Sequence, residues 1–340
     1  DFDPSFDPAG TPPSGAYGPV APGRKVEVLD GAVTVFSGYV DDYDYEWRQG
    51  DAPGVTLLPT DALATLGRSE FLEWTTDPYD RAGERITKAL DRVEVAFPTG
   101  GAARAISTGL TPLQSDLVTY GSNVLNYLQL VANSDMGRLF VDRAGVLTYT
   151  DRYALLGATS SADFDDTETN LPFHAVDALY GTEQLYFQVS VGRLGGEPRT
   201  FKNTVAIAAY PVLGIRQLAI DNLLVDSDAY AEAMASELVD RYSVNSATVS
   251  SLTVKISTLE DADRATVAAL DIGDLIGLTW TPTQTSTPVV QDLVIEGVTY
   301  RSDLVNGEAF MDFQLSAAPD LSTVFVLDTD SLDGTKVLGF

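Results

Sequence analysis

The side chains able to do chemistry in this chain are few in kind, although its acids are many. One histidine, His174, stands in Leu171-Pro172-Phe173-His174-Ala175-Val176, and there is no cysteine. A Ser-His-Asp triad would have to use His174, yet no Gly-x-Ser-x-Gly elbow occurs, and Phe173 and Val176 mark the histidine as a packed or rim residue. The lack of cysteine removes disulfides, thiolate metal sites and cysteine nucleophiles together, and a zinc site would then need three carboxylates. Asp333-Gly334-Thr335-Lys336 has the letters of a phosphate loop without its spacing. Gly192-Arg193-Leu194-Gly195-Gly196 lies between two strands and reads as a hairpin turn, not a dinucleotide fingerprint. No cofactor is expected.

The acids leave more room. Any chain with 49 Asp and Glu can supply the carboxylate pair of a glycosidase. The best-placed set is Asp41, Asp42, Asp44 and Glu46 beside Trp47, and a solvated or lumen-facing strand face explains it without chemistry. A second acidic stretch, Ala162 to Asn170, carries Asp163, Asp165, Asp166 and Glu168 and is read as a loop. Asp1, Asp3 and Asp7 match no calcium-loop spacing, so no metal is expected.

Bulk composition sets the frame for these residues. At 340 residues the chain exceeds one ordinary core, and 44% hydrophobic with 21% charged residues describes a folded chain. No apolar run approaches the ~18–20 residues of a membrane span, and Asp1-Phe2-Asp3-Pro4 lacks the features of a signal peptide. The net charge of −28 repels phosphate backbones. Such a field argues against gripping DNA but suits a wall past which DNA slides.

The elements that must position the acids alternate between two periods. Residues 1–23 are proline-rich and read as an extended arm that Phe2 and Phe6 could pin to a neighbouring surface. Lys25 to Trp47 is β-branched and aromatic with a turn at Asp30-Gly31, and Val55–Leu58 adds a strand. There the acids alternate with Tyr43, Tyr45 and Trp47, which sends acids to one face and aromatics to the other. From Thr60 the period becomes helical. A short helix covers Asp61–Leu66. A second starts near Asp77-Pro78, with Tyr79, Ala82, Ile86, Ala89, Leu90 and Val93 as its stripe, and a third spans Ser122–Asn133. The hairpin Gly137–Tyr149 completes a small α+β domain. Strands are expected at Gln184–Val191 and Thr200–Ala208, a helix from Asp226-Ser227, and a strand at Ser251–Ile256. Asp271 to Ala317 then supplies three alternating strands, the last reached through Asn306-Gly307.

In the middle of the chain stand Ile106–Gln114, Leu125-Asn126-Tyr127-Leu128 and Met136–Gly145 with Asp151-Arg152. With Phe2-Asp3-Pro4, Phe36–Val40, Thr60–Leu63, Ala206–Tyr210 and Leu338-Gly339-Phe340, these blocks resemble, in order, one family. It is the minor tail protein that acts as tail hub in long-tailed phages of actinobacteria. The resemblance implies an α+β, mainly β chain with two tube-type β-barrel domains and α+β inserts, like the baseplate hubs of contractile-tailed phages. The expected layout is an extended arm at 1–23, barrel strands at 24–60, an α+β insert at 61–152 and barrel strands at 153–225. A small helix–strand insert at 226–257, closing barrel strands at 258–320 and a tail at 321–340 follow.

By the same resemblance the protein forms a homotrimer at the distal tip of the virion tail. Its partners would be the distal tail protein, the tail tube, the tape measure protein and other tail-tip or fibre proteins, with DNA only in transit. Relatives usually carry a domain or strand pair before Phe-Asp-Pro, so the first barrel is expected to borrow strands or to continue upstream. Within that reading Asp41, Asp42, Asp44, Glu46, Asp163, Asp165, Asp166 and Glu168 are candidate lumen-facing acids, although they could equally lie outside. Phe2, Phe6, Tyr43, Tyr45 and Trp47 are candidate interface or arm anchors. The rivals are a carbohydrate-binding adhesion module using Tyr43, Tyr45, Trp47 and Trp74, and a tail-associated cell-wall hydrolase.

Overall fold

The computed structural model describes residues 23–46, 54–155, 158–167, 169–182, 185–243, 248–282, 287–303 and 306–318, and two short strands near the C-terminus. Strand β1 (Lys25–Asp30) turns at Gly31 into the long β2 (Val33–Glu46), and β3 (Gly54–Thr60) pairs with its other edge. The turn needs the left-handed backbone that Gly31 supplies at φ 61°.

The first insert follows. Its elements are α1 (Ala62–Gly67), β4 (Trp74–Thr75), α2 (Ala82–Leu90), β5 (Arg104–Ile106), β6 (Leu117–Val118), α3 (Val124–Ser134), β7 (Arg138–Val141) and β8 (Leu147–Thr150). Helix α1 begins where expected, because Asp61 accepts the N–H groups of Leu63 and Ala64. Helix α2 is shorter than its stripe implied. It starts after Arg81, whose N–H is held by Glu84, and stops at Leu90, leaving Val93 84% exposed. Asp77 and Pro78 instead lie in the preceding loop. There the fully buried Arg85 binds the Asp77 carbonyl and the Asp80 carboxylate, and Lys88 reaches both acids. Asn123 caps α3 through the Asn126 N–H.

Beyond it run β9 (Ala162–Asp165), β10 (Leu171–Pro172), β11 (Ala175–Leu179), β12 (Gln188–Arg193), β13 (Arg199–Lys202), α4 (Thr204–Ala209), β14 (Gln217–Leu223) and α5 (Asp228–Tyr242). The last stretch holds β15 (Thr248–Val254), α6 (Asp261–Ala269), β16 (Leu275–Trp280), β17 (Val289–Asp303), β18 (Glu308–Ala317), β19 (Val324–Phe325) and β20 (Val337–Leu338).

The structure revises the expected layout in four places. Strands β12 and β13, expected in a barrel, join β14 in a separate three-stranded sheet that α5 covers. The expected strand Thr200–Ala208 ends at Lys202, because Asn203 accepts the Ala206 N–H and starts α4. Strand β15, expected in the helix–strand insert, lies inside the main sheet between β18 and β11. The acidic stretch read as a loop contains β9, whose Ala162 and Phe164 point into the core.

The main sheet has the order β10-β9-β16-β17-β18-β15-β11. Its two outermost strands, β10 and β11, are consecutive in sequence with only Phe173 and His174 between them. Seven strands laid flat would set the end strands about 29 Å apart, whereas the steps from Pro172 to Ala175 reach at most about 11 Å. The sheet therefore has to roll, and it is a curled half-barrel. Its interior is lined by Phe164, Leu252, Ile276, Ile295, Met311 and Phe313, with Val33 and Val35 from the base of β2 packed against it. Arg264 of α6 grips the nearly buried Asp30 through Nε at 3.0 Å and through Nη2, which clamps the β1–β2 turn to this unit.

Candidate functional site

The acids of β2 sit on a ribbon. Pairing of β1 with β2 stops at Lys25↔Tyr39, so beyond Val40 strand β2 has β3 as its sole strand neighbour among the described residues. Asp42 lies opposite Leu58 and Asp44 opposite Thr56, while Tyr43 lies opposite Leu57. Asp42 and Asp44 are exposed on one face, and Tyr43, on the other, is half-buried. The expected division of faces thus holds for these three. Asp41 departs from it: the register shifts between Val40 and Asp42, and the side chain of Asp41 is taken by both Nη atoms of Arg68 just after α1. Hydrogen bonding to that guanidinium lowers the Asp41 carboxyl below its ordinary value. Tyr45 and Glu46 continue the ribbon opposite Val55 and Gly54. Phe2, Phe6, Trp47 and Glu168 lie outside the described residues.

The second acidic stretch has two kinds of carboxylate. Asp163 is exposed on β9 beside Gly277 of the parallel β16, where a Cβ would stand 2.3 Å from its Oδ1. Glycine makes room for that acid. Asp165 is only 4% exposed and accepts backbone N–H groups from Thr167 at 2.9 Å, Thr169 at 3.1 Å and Asn170 at 2.9 Å. Burial opposes its ionisation, but these donors outweigh burial and its carboxyl lies below the usual value. Asp166 caps the Thr281 N–H at 2.7 Å. Asp165 is therefore a turn-forming acid with its oxygens turned to the local backbone, whereas Asp166 ties the end of β9 to the residue after β16.

Three further residues singled out in the sequence have definite places. His174 sits at the seam of the rolled sheet, its N–H on the Thr253 carbonyl at 2.7 Å and its ring edge-on to Phe310 at 5.8 Å. Trp74, offered above as part of a sugar platform, is packed instead: Phe71 and Tyr127 lie at 6.0 and 6.3 Å and the Arg92 guanidinium at 4.8 Å over its ring. Among the described residues no group of three or more His, Asp or Glu is arranged to hold a metal ion, and no helix is long and apolar enough to cross a membrane.

Sequence reasoning missed the joint between the inserts and the rolled sheet. A cavity of about 340 Å³ lies where the β7–β8 hairpin, α5 and the loop before β16 meet. A smaller one of about 200 Å³ lies between β2, the β7–β8 turn and the end of α6. Between them Asp271 accepts the Arg143 N–H at 2.7 Å, and Arg143 Nη1 binds the Ala268 carbonyl at 3.2 Å. Asp271-Ile272-Gly273-Asp274 had the look of a plain strand entry, and only the three-dimensional meeting of residues 128 apart reveals it.

This arrangement, a rolled sheet with a projecting ribbon and two α+β inserts, is that of solved tail proteins. The structure superposes on the tail protein from Neisseria meningitidis MC58 with a TM-score of 0.63 at 14% identity, covering 88% of this chain and 86% of that one. It superposes on the prophage MuSo2 43 kDa tail protein from Shewanella oneidensis with a TM-score of 0.59 at 17% identity, covering 89% and 86%. The chain has a phage tail-protein fold. No family model matches it, and no curated protein does. At such identities the likeness concerns the path of the backbone, so the roles of individual side chains in this tail-protein fold rest on their own geometry.

Proposed function

We infer that the protein is a structural component of a phage tail, a hub-like trimer at the distal end that joins the tail tube to the tip and controls the channel through which DNA leaves. One observation carries this reading: the tail-protein fold extends over 88% of the chain rather than over one module. No bond is made or broken in this role. The two-barrel arrangement belongs to the same proposal. The rolled seven-stranded sheet is one barrel, and β1–β3 are the part of the other that neighbouring copies complete. A two-stranded ribbon has little stability in water by itself, and the exposed Leu57 and Leu58 of β3 give such an arrangement apolar surface to bury.

Asp42, Asp44 and Asp163 are the acids that would line the lumen, where like charge keeps DNA from adhering. The partners would be the tail tube, the distal tail and tape measure proteins and tip or fibre proteins, with the protein located in the virion. The test is mass measurement with cross-linking of the purified chain. A trimer is expected, and a strictly monomeric chain that adds to no tail tube would reject the reading.

A further inference from the structure

The two cavities of the joint differ in charge. The larger one sets Arg138, Arg152 and Arg241 against Asp151, Glu237 and Asp274, and so balances. The smaller one carries Asp61, Asp142 and Asp271 with Arg143 as its one lining cation among the described residues, a formal 1 − 3 = −2. The Arg143 guanidinium is committed through Nη1 to the Ala268 carbonyl at 3.2 Å.

Backbone holds each of these acids in place. Asp61 Oδ1 caps α1 through the N–H groups of Leu63 at 3.0 Å and Ala64 at 3.3 Å. Asp142 Oδ1 takes the Val146 N–H at 2.8 Å. Asp271 gives one oxygen to the Ile272 N–H and the other to the Arg143 N–H, each at 2.7 Å. The second oxygens of Asp61 and Asp142 accept no hydrogen bond among the described residues. Carboxylates fixed in this way need little ordering to receive a guest.

Beside them stands a hydroxyl without a partner. Ser37 of β2 is 2% exposed and lines the cavity, and its Oγ makes no hydrogen bond. A buried polar atom left in that way costs free energy until something in the cavity meets it. The β7–β8 turn closes in on this side. Gly145, at φ 83°, comes so near that a Cβ would stand 3.1 Å from the Ser37 Oγ. Much of the remaining wall is apolar, with Val35, Val141, Val298 and Met311.

Charge, hydroxyl and wall together select the guest. No three carboxylates among the described residues are arranged to hold a metal ion, and a hydrated ion gains nothing from valine and methionine. An aliphatic amine has three N–H donors for oxygens at its charged head and an apolar stem behind it. We propose that the smaller cavity binds a primary alkylammonium ion, its head among Asp61, Asp142, Asp271 and the Ser37 hydroxyl. Such a guest ties the β7–β8 turn of the first insert to β2 and to the loop before β16.

Titration calorimetry of the full chain with n-butylammonium chloride, near neutral pH and at physiological ionic strength, tests this. One saturable site per chain is expected, and the bound amine should protect the Arg143 and Val146 amides from hydrogen exchange. Asp142→Asn keeps an acceptor for Val146 and should weaken binding about tenfold, and Ser37→Ala about fivefold. Should Asp142→Asn fail to fold, Asp61→Asn keeps the α1 cap and should show a loss of the same order. n-Butanol, with the same stem and no charge, should not compete. Heat that never saturates, equal binding in these variants, or displacement of the amine by magnesium at matched ionic strength would overturn the proposal.

Discussion

The base and the tip of β2 belong to one strand and behave as two materials. At the base, Val33 and Val35 are packed against the core of the rolled sheet and Asp30 is clamped by Arg264. At the tip, Asp42 and Asp44 face solvent and the pairing is a two-stranded ribbon with β3. The rolled sheet curls until only Phe173-His174 separates its end strands in sequence, and its strands enclose one continuous apolar core. The ribbon leaves its edges unmet among the described residues. The contrast teaches that one strand can be anchored in a core at its base and left without such packing at its tip, so that the two ends should respond differently to substitution.

The largest effect should come from the base unit. Phe313→Ala opens a cavity at a fully buried side chain, and chemical denaturation should show a loss of about 3–5 kcal/mol. Asp135→Ala in the first insert comes next. It strips acceptors from the Leu110 and Thr111 N–H groups and from the Tyr149 hydroxyl at a fully buried site, a loss of about 3 kcal/mol.

Asp165→Asn should cost less, because the amide oxygen keeps part of the turn, and its signature is in the pH profile. The folded-state carboxyl lies below its ordinary value, so its contribution is present at neutral pH and is lost as pH falls below about 4. The variant should therefore lose part of the acid limb of a stability–pH curve while its neutral melting point moves little. At the small end, Asp42→Asn with Asp44→Asn should leave thermal melting unchanged, since exposed substitutions rarely matter to folding, yet slow genome ejection from particles that assemble normally. Unaltered ejection would separate the ribbon acids from any channel role. A ribbon variant that melted as early as Phe313→Ala would erase the contrast between base and tip.

What could be read from the sequence followed the reach of the interactions. The turns at Asp30-Gly31, Gly195-Gly196 and Asn306-Gly307 were legible because glycine at positive φ is a local requirement, met here at 61°, 74° and 67°. The stripe of α2 was legible through Ala82, Ile86, Ala89 and Leu90, but its end was not, because Val93 matched the period without being buried. Helix α6 stands where closing barrel strands are expected, and β9 lies in the stretch that reads as a loop, although Asp163 and Asp165 alternate with Ala162 and Phe164 in plain period two. Pairing partners were the least legible. Nothing local states that β12 takes β14 rather than the main sheet, or that β15 enters beside β18.

The acids illustrate the same limit. Asp165 and Asp44 look alike in sequence, and only the folded backbone shows one turned to three N–H groups and the other exposed. The joint at Asp271 was invisible for the reason that its partner, Arg143, lies in another unit of the chain.

The most direct measurement is electron imaging of the purified, cross-linked oligomer at modest resolution. The account calls for threefold particles with an open centre and the ribbons turned toward neighbouring copies. Solitary compact particles without a hole, at concentrations where tails assemble, would contradict it.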